Sequence, residues 1–405
     1  MVNKRKIFND PVYGFITIPY DIIFELIEHP YFQRLRHISQ LGLTEYVYPG
    51  ARHTRFHHAL GAMHLMTQTI DVLRNKGVEI TEEEAIGVTI AILLHDIGHG
   101  PFSHTLEHHI LDEHHETLTL LFMNDLNEQF NGQLKLAIEI FEGKYPKRIL
   151  QQLVSGQLDM DRMDYLNRDS YFTGVSEGVI GYDRIIKMLN VADGELVVEE
   201  KGLYSVENFL IARRLMYWQV YLHKTVVAAE QMLIQIFKRI KYLKEKGIEL
   251  NIPTELSYFI YQKEEKSDFK ANARLMLSKF ANISDHDIFF MIKNFANNDK
   301  SDETLSYLSQ KLLNRSLFKI KLQSEAITKE QEDNIKVLIK ANDKFKNLDH
   351  NFLIIKGKES NNTYTRKKDE IIILQKNRTV LPLSEITEDG ITSKSVIKYF
   401  ICYAI

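Results

Sequence analysis

A single cysteine, Cys402, stands among the 405 residues, so the chain forms no internal disulfide and holds no thiolate zinc site. Such cysteine poverty fits a reducing compartment, and a cytoplasmic location is expected. No apolar run reaches the roughly 18 residues that span a bilayer, so no membrane association is expected. Stretches such as Val88 to Leu94 stop after a turn or two. The basic start MVNKRKIFND runs into Asn9-Asp10-Pro11 with no apolar segment, so no secretory signal is expected. Charge of one sign is also scarce. Lys and Arg number 51 against 54 Asp and Glu, a net of −3, which lacks the basic excess of a general nucleic-acid binder. Internal repeats and long low-complexity tracts are missing as well. What remains is 44% hydrophobic and 26% charged, the balance of a globular protein long enough for two or three packed units.

Histidine is what the chain has in excess. Of its 16, eleven lie between His53 and His115. Imidazole is both the commonest metal ligand and the natural proton carrier near neutral pH, so this crowding points to chemistry.

Periodicity predicts a mainly α protein with a small mixed α/β portion at the end. A helix over about Asp21–Glu28 ends at His29-Pro30, and a second, from Tyr31, carries Phe32, Leu35 and Ile38. Thr54 can cap a third helix that carries His58 and stops at Lys76-Gly77. Thr81 with Glu84 reads as a capping box opening an all-round apolar, hence buried, helix from Ala85 to Leu94. Further helical patterns cover Glu113–Asn124, Leu134–Phe141, Lys147–Leu166 and Val206–Lys244, with a short β-like piece at Glu195–Val206. Helical periodicity continues from Glu255 to about Asp343. Short β-branched runs then follow at Phe352–Ile355, Ile371–Leu374 and Val396–Ile401. The expected division is 1–245, 246–345 and 346–405. The basic stretch Lys356–Lys368 reads as a solvated hairpin loop, ahead of a contact for single-stranded nucleic acid.

The strongest local signal is Leu94-His95-Asp96-Ile97-Gly98-His99-Gly100-Pro101-Phe102-Ser103-His104. A histidine and an aspartate side by side at the end of a buried helix cost desolvation, which a divalent cation would offset. The bland reading is a helix C-terminus where the dipole favours histidine. Two further words change the balance: Arg52-His53-Thr54-Arg55-Phe56-His57-His58 before it and Asp159-Met160-Asp161-Arg162-Met163-Asp164-Tyr165 after it. Together they offer nitrogen and oxygen ligands suited to one divalent ion of the Mn, Fe, Zn, Co, Ni or Mg class.

This His…His-Asp…Asp pattern resembles the HD-domain metal-dependent phosphohydrolases. Phe8-Asn9-Asp10-Pro11, Phe32-Gln33-Arg34-Leu35-Arg36, Gln40-Leu41-Gly42, Tyr48-Pro49-Gly50-Ala51, His104 and Asp161 to Asp169 are similar to the deoxynucleoside triphosphate triphosphohydrolase branch. The likeness covers roughly the first 240 residues.

The resemblance implies a helical HD-domain body with His58, His95, Asp96 and Asp161 as metal ligands. It implies Gln40, Leu41, Tyr165 and Asp169 at the sugar, Tyr221 closing off the 2′ position, and Arg55, Arg162 and Arg213 at the phosphates. His104 is expected to protonate the leaving oxygen, with His115 and His99 in support and Glu116 as the carboxylate beside His115. Asp164 reads as a helix-stabilising carboxylate, His57 as second shell or surface, and His53 and His64 as core or surface residues. Family members also carry a regulatory nucleotide site at a subunit interface, which Lys6, Arg34 and Arg36 match in part. A homo-oligomer and a GTP or deoxynucleotide effector are therefore expected partners besides the substrate. Two other functions remain open: another HD-type hydrolase of phosphodiesters or monophosphates, and a nucleotide-sensing regulator with a residual site.

Overall fold

A computed structural model describes residues 6–261, 273–297, 301–361, 370–387 and 396–405. Helices dominate, and two hydrophobic cores organise them. The first gathers side chains from Ile16 to Val220, among them Phe32, Met63, Leu93, Leu94, Met163 and Phe209, and is joined by later ones such as Phe280, Ile373 and Leu383. The second surrounds the Lys224–Glu245 helix and includes Met232, Phe237, Met291, Leu308 and Phe400. Complete burial of one such Leu or Phe contributes about 1.5–3 kcal/mol.

At the centre of the first core lie the helices Arg55–Asn75, Glu82–Leu94 and Met160–Thr173. Thr54 precedes the first, and His57 Nδ1 accepts from the Thr54 backbone N–H at 3.2 Å, so His57 serves as a cap. Thr81 and Glu84 bond each other's backbone N–H groups at 3.2 and 2.9 Å, the expected capping box. Asp159 caps the third helix by accepting from Arg162 N at 2.7 Å, and Gly174 closes it in the left-handed region at φ 75°. The pattern read as continuous over Lys147–Leu166 is therefore two helices, Arg148–Val154 and Met160–Thr173. Ser155-Gly156 and the Asp159 cap divide them.

Two other stretches differ from the periodicity. After Pro30 the chain makes one α-helical turn, Pro30–Gln33, and then tightens into a 3₁₀ turn, Arg34–His37; Phe32 and Leu35 still face inward. Val206–Lys244 resolves into the helix Leu203–Met216, a π-helical turn at Tyr217–Tyr221, and the helix Lys224–Glu245.

Strands β1 (Ile7–Asp10) and β2 (Gly14–Thr17) form an N-terminal antiparallel hairpin. Strands β3 (Leu189–Ala192) and β4 (Glu195–Glu199) form a second, turning at Asp193-Gly194 with φ of 51° and 79°. Strands β5 (Lys319–Gln323), β6 (Ile354–Asn361), β7 (Ile372–Leu374), β8 (Val380–Pro382) and β9 (Val396–Tyr403) follow. The C-terminal strands divide between two sheets. β7 pairs in parallel with β4 and carries β8, while β6 and β5 flank β9 on the second core. Lys356 to Asn361 thus belongs to β6, and the rest of the basic stretch lies outside the described residues.

Candidate metal centre and substrate site

His58 sits on the first turn of the Arg55–Asn75 helix, His95 and Asp96 at the end of Glu82–Leu94, and Asp161 on the first turn of Met160–Thr173. Their donor atoms converge. His58 Nε2 lies 3.2 Å from His95 Nε2, 3.1 Å from Asp161 Oδ1 and 3.6 Å from Asp96 Oδ2. His95 Nε2 lies 3.4 Å from Asp96 Oδ1 and 3.6 Å from Asp161 Oδ1. Two bonds of about 2.1 Å to one ion put their ends about 3.0 Å apart at a right angle and about 3.4 Å apart in a tetrahedron. The observed spacings fall close to that range. His58, His95 and Asp161 each bring one donor atom to a common point that fits a divalent cation, and Asp96 flanks it, reaching His58 and His95 through different oxygens; the set does not dictate the identity of the ion.

The electrostatics follow from the same packing. Burial disfavours the His58 imidazolium, but hydrogen bonds to Asp161 and Asp164 outweigh it and hold its pKa at about 10. His95 is likewise raised against burial by Asp96 and Asp161. Against its own burial, Asp161 is kept well below the carboxylate range by His58 and His95, and Asp96 by Arg55 and His95. Both carboxylates of the centre are thus favoured in the ionised form, the charge that a divalent cation would offset.

Polar groups behind the ligands orient them. Asp164 Oδ2 accepts from His58 Nδ1 at 2.7 Å, which turns Nε2 toward the other donors. Asp164 is thus more than a helix-stabilising residue. His95 Nδ1 is held by the Ile92 carbonyl at 2.6 Å. Arg55 binds Asp96 and, at 2.8 Å, Ser103 Oγ.

Along the Met160–Thr173 helix, Tyr165 and Asp169 follow Asp161 on one stripe. The Tyr165 ring lies 6.5 Å from His58 and 6.2 Å from Tyr221, both edge-on. Tyr221 donates to Asp169 Oδ2 at 2.7 Å, and His53 Nε2 meets the other oxygen at 2.7 Å. His53, read from sequence as core or surface, is a buried partner of Asp169. Gln40 Oε1, Arg162 Nε and Arg213 Nε are buried without a protein partner among the described residues. Arg162 also binds Asp159 and the Gly156 carbonyl, and Arg213 reaches Gln157 at 3.4 Å. Leu41 packs partly buried against the first core.

Comparison with known proteins bears on what this centre is. Residues 55–169 match the HD domain model, and residues 180–251 match the HD associated region. Uncharacterized protein YwfO of Bacillus subtilis is 32% identical over 323 residues, covering 78% of this chain and 72% of YwfO. The crystal structure of a phosphohydrolase from Bacteroides thetaiotaomicron superposes with a TM-score of 0.94 at 46% identity, covering 99% of this chain and 100% of that one. The chain belongs to the HD-domain phosphohydrolase family. The deoxynucleoside triphosphate triphosphohydrolase SAMHD1 of Homo sapiens is a more distant homologue, 30% identical over 281 residues. That alignment covers 58% of this chain and 45% of SAMHD1, so the chain spans about half the length of that relative.

In this HD-domain phosphohydrolase a second histidine cluster adjoins the metal centre. His99 Nε2 lies 3.3 Å from Asp96 Oδ1, and its ring stacks on His115 with centroids 4.0 Å apart. His104 meets both edge-on, at 4.9 and 5.2 Å. Burial and the nearby Arg55 charge push the His99 pKa well down, whereas the His104 side chain is 67% exposed. The carboxylate that serves the cluster is Glu107, which the sequence reading overlooked. It accepts from His115 Nδ1 at 2.6 Å and lies 3.1 Å from His104 Nδ1. Glu116, expected in that role, points to solvent. His99, Glu107 and His115 line a small pocket that Phe280 helps to close.

Of the residues matched to an effector site, Lys6 Nζ stands 3.1 Å over the Phe24 ring and the Arg36 guanidinium 3.6 Å over Phe56. Arg34 faces inward and donates to the carbonyls of His99 at 2.9 Å and Ile97 at 2.6 Å. Among the described residues no helix is long and apolar enough to cross a membrane.

Proposed function

We propose that this phosphohydrolase cleaves deoxynucleoside triphosphates at the α-phosphorus, releasing deoxynucleoside and inorganic triphosphate. The observation that carries the reading is the meeting of His58, His95 and Asp161 donor atoms at 3.1–3.6 Å, with Asp96 beside both histidines, at one end of a stripe that continues through Tyr165 to Asp169. When bound there, a divalent ion supplies Lewis acidity and lowers the pKa of water.

The protein's own groups do the rest. Arg55, Arg162 and Arg213 neutralise the phosphate oxygens, the last two with buried N–H groups still to be satisfied. Asp169 takes the sugar 3′-hydroxyl, Tyr165 packs on the ring, and Gln40 and Leu41 cover its other side. Tyr221 fills the space of a 2′-hydroxyl, a steric rejection of ribonucleotides. Attack by water forms a bond to the α-phosphorus and breaks its bond to O5′. His104 delivers the proton that O5′ needs, with Glu107, His115 and His99 fixing its ring. Soluble homo-oligomers with a GTP or deoxynucleotide effector near Lys6 and Arg36 complete the reading, Arg34 bracing the Ile97–His99 turn from beneath.

The test is a panel of the four deoxynucleoside triphosphates, with and without GTP, on protein reconstituted with each candidate metal. Chromatography should find inorganic triphosphate and deoxynucleoside. Pyrophosphate or monophosphate as product would instead assign another HD-type nucleotide hydrolase, and no turnover with any metal would favour a nucleotide sensor.

A further inference from the structure

We propose that Asp10 and Arg168 are positioning residues for the metal ligand His58, so that the N-terminal hairpin tunes the affinity of the metal centre. The inference rests on the metal reading of His58 alone and is indifferent to the substrate.

Arg168 is the largest fully buried side chain among the described residues. Its guanidinium grips both oxygens of Asp164, Nε to Oδ2 at 2.9 Å and Nη2 to Oδ1 at 3.0 Å. Its remaining nitrogen, Nη1, donates to Asp10 Oδ2 at 2.7 Å. Asp164 in turn holds His58 Nδ1 at 2.7 Å. At the far end, Asp10 Oδ1 accepts from the backbone N–H groups of Val12 and Tyr13, each at 2.9 Å, and so shapes the turn between β1 and β2. An unbroken chain of charge-assisted bonds thus runs from the hairpin turn through Asp10, Arg168 and Asp164 to His58. Asp10 belongs to the Phe8-Asn9-Asp10-Pro11 word, for which the proposed chemistry has no other use.

The metal-ligand helix is built to admit this chain. A Cβ on Gly61, one turn beyond His58, would lie 1.9 Å from Asp164 Oδ1 and 2.2 Å from Arg168 Nη2. Only glycine leaves room for the pair at that place. Burying three charges costs desolvation that a well-packed apolar cluster would avoid, so stability is a poor reason for the arrangement. Orientation is a better one. A carboxylate that accepts from Nδ1–H fixes the tautomer and aims the Nε2 lone pair at the ion. Asp164 can do so only while its plane is fixed. The Arg168 fork fixes it, and Asp10 fixes the fork.

The test is metal affinity, read by titrating the stripped protein with Mn²⁺ or Zn²⁺ against a competing chelator. Asp10→Asn keeps an oxygen for the turn but removes the charge that holds Arg168, and should raise Kd about tenfold. Asp164→Asn should raise it at least as much. In the double variant Kd should match that of Asp164→Asn alone, because the chain is already cut. A merely structural Asp10 would lower Tm and leave Kd unchanged; that result, or losses that multiply in the double variant, overturns the proposal. Should Asp10→Asn not fold, Arg168→Lys, which keeps the charge but cannot bridge two carboxylates, is read in the same way. A wild-type protein that binds no ion would remove the metal centre itself, a separate outcome.

Discussion

Tyr221 donates its hydroxyl hydrogen to Asp169 at 2.7 Å, so the ring proposed to exclude a 2′-hydroxyl and the carboxylate proposed to hold the sugar form one hydrogen-bonded unit. The π-helical turn Tyr217–Tyr221 makes this contact, and such turns gather at functional sites. Burial together with the Asp169 charge keeps the Tyr221 phenol well above its ordinary pKa, so it stays a neutral donor.

Removal of the Tyr221 ring should therefore open the 2′ position. Tyr221→Ala is expected to lower the ratio of kcat/KM for deoxy- over ribonucleoside triphosphates by about tenfold or more, on the order of 1.4 kcal/mol. Tyr221→Phe keeps the ring and should keep the ratio, while loss of the bond to Asp169 raises KM. An unchanged ratio in Tyr221→Ala would reject the gate.

Asp96, a proposed cation ligand, also binds the buried Arg55 guanidinium. Asp96→Ala should abolish metal binding and also cost about 3–5 kcal/mol of stability, because Arg55 is left buried and unpaired. His95→Ala should lose the metal with a smaller change in Tm. Metal content by elemental analysis, with far-ultraviolet dichroism to follow the helices, separates the two effects. Turnover that survives metal depletion would contradict the role assigned to both.

The next variant probes Glu107, which is kept well below the carboxylate range by hydrogen bonds from His104 and His115 that outweigh its partial burial. A depressed folded-state pKa contributes stability that is present above the unfolded value and lost as pH falls toward the folded one. The Tm advantage of wild type over Glu107→Gln should be full at pH 6 and above and should shrink below about pH 4.3, the unperturbed value. In the activity assay Glu107→Gln should lower kcat about 100-fold, the size of a general-acid contribution. Equal Tm curves for the two proteins across that range would show that the contact does not hold the cluster.

Much of this site could be read from the sequence because its chemistry lies in contiguous words. His95-Asp96 ends an apolar helix whose Thr81–Glu84 cap is itself a sequence pattern, and Asp161, Tyr165 and Asp169 share a four-residue period. Residues whose partners are distant in sequence were harder. Glu107 reaches His115 across a turn, whereas Glu116, its neighbour in sequence, is the carboxylate that local order points to. His53 meets Asp169 from 116 residues away. The Asp164–Arg168 spacing of four residues was a usable signal, yet it is shared by ordinary surface pairs, and only burial distinguishes this one. In the fold, the return of β7 to β4 depends on pairing of residues 175 positions apart, Val198 with Ile373, which no local pattern records.

Attack by water at the α-phosphorus leaves the water oxygen on the triphosphate, which hydrolysis in ¹⁸O-labelled water reads out. Mass analysis of the products should find one ¹⁸O atom in inorganic triphosphate and none in the deoxynucleoside. Label in the deoxynucleoside, or in pyrophosphate or monophosphate with no triphosphate formed, would contradict the account.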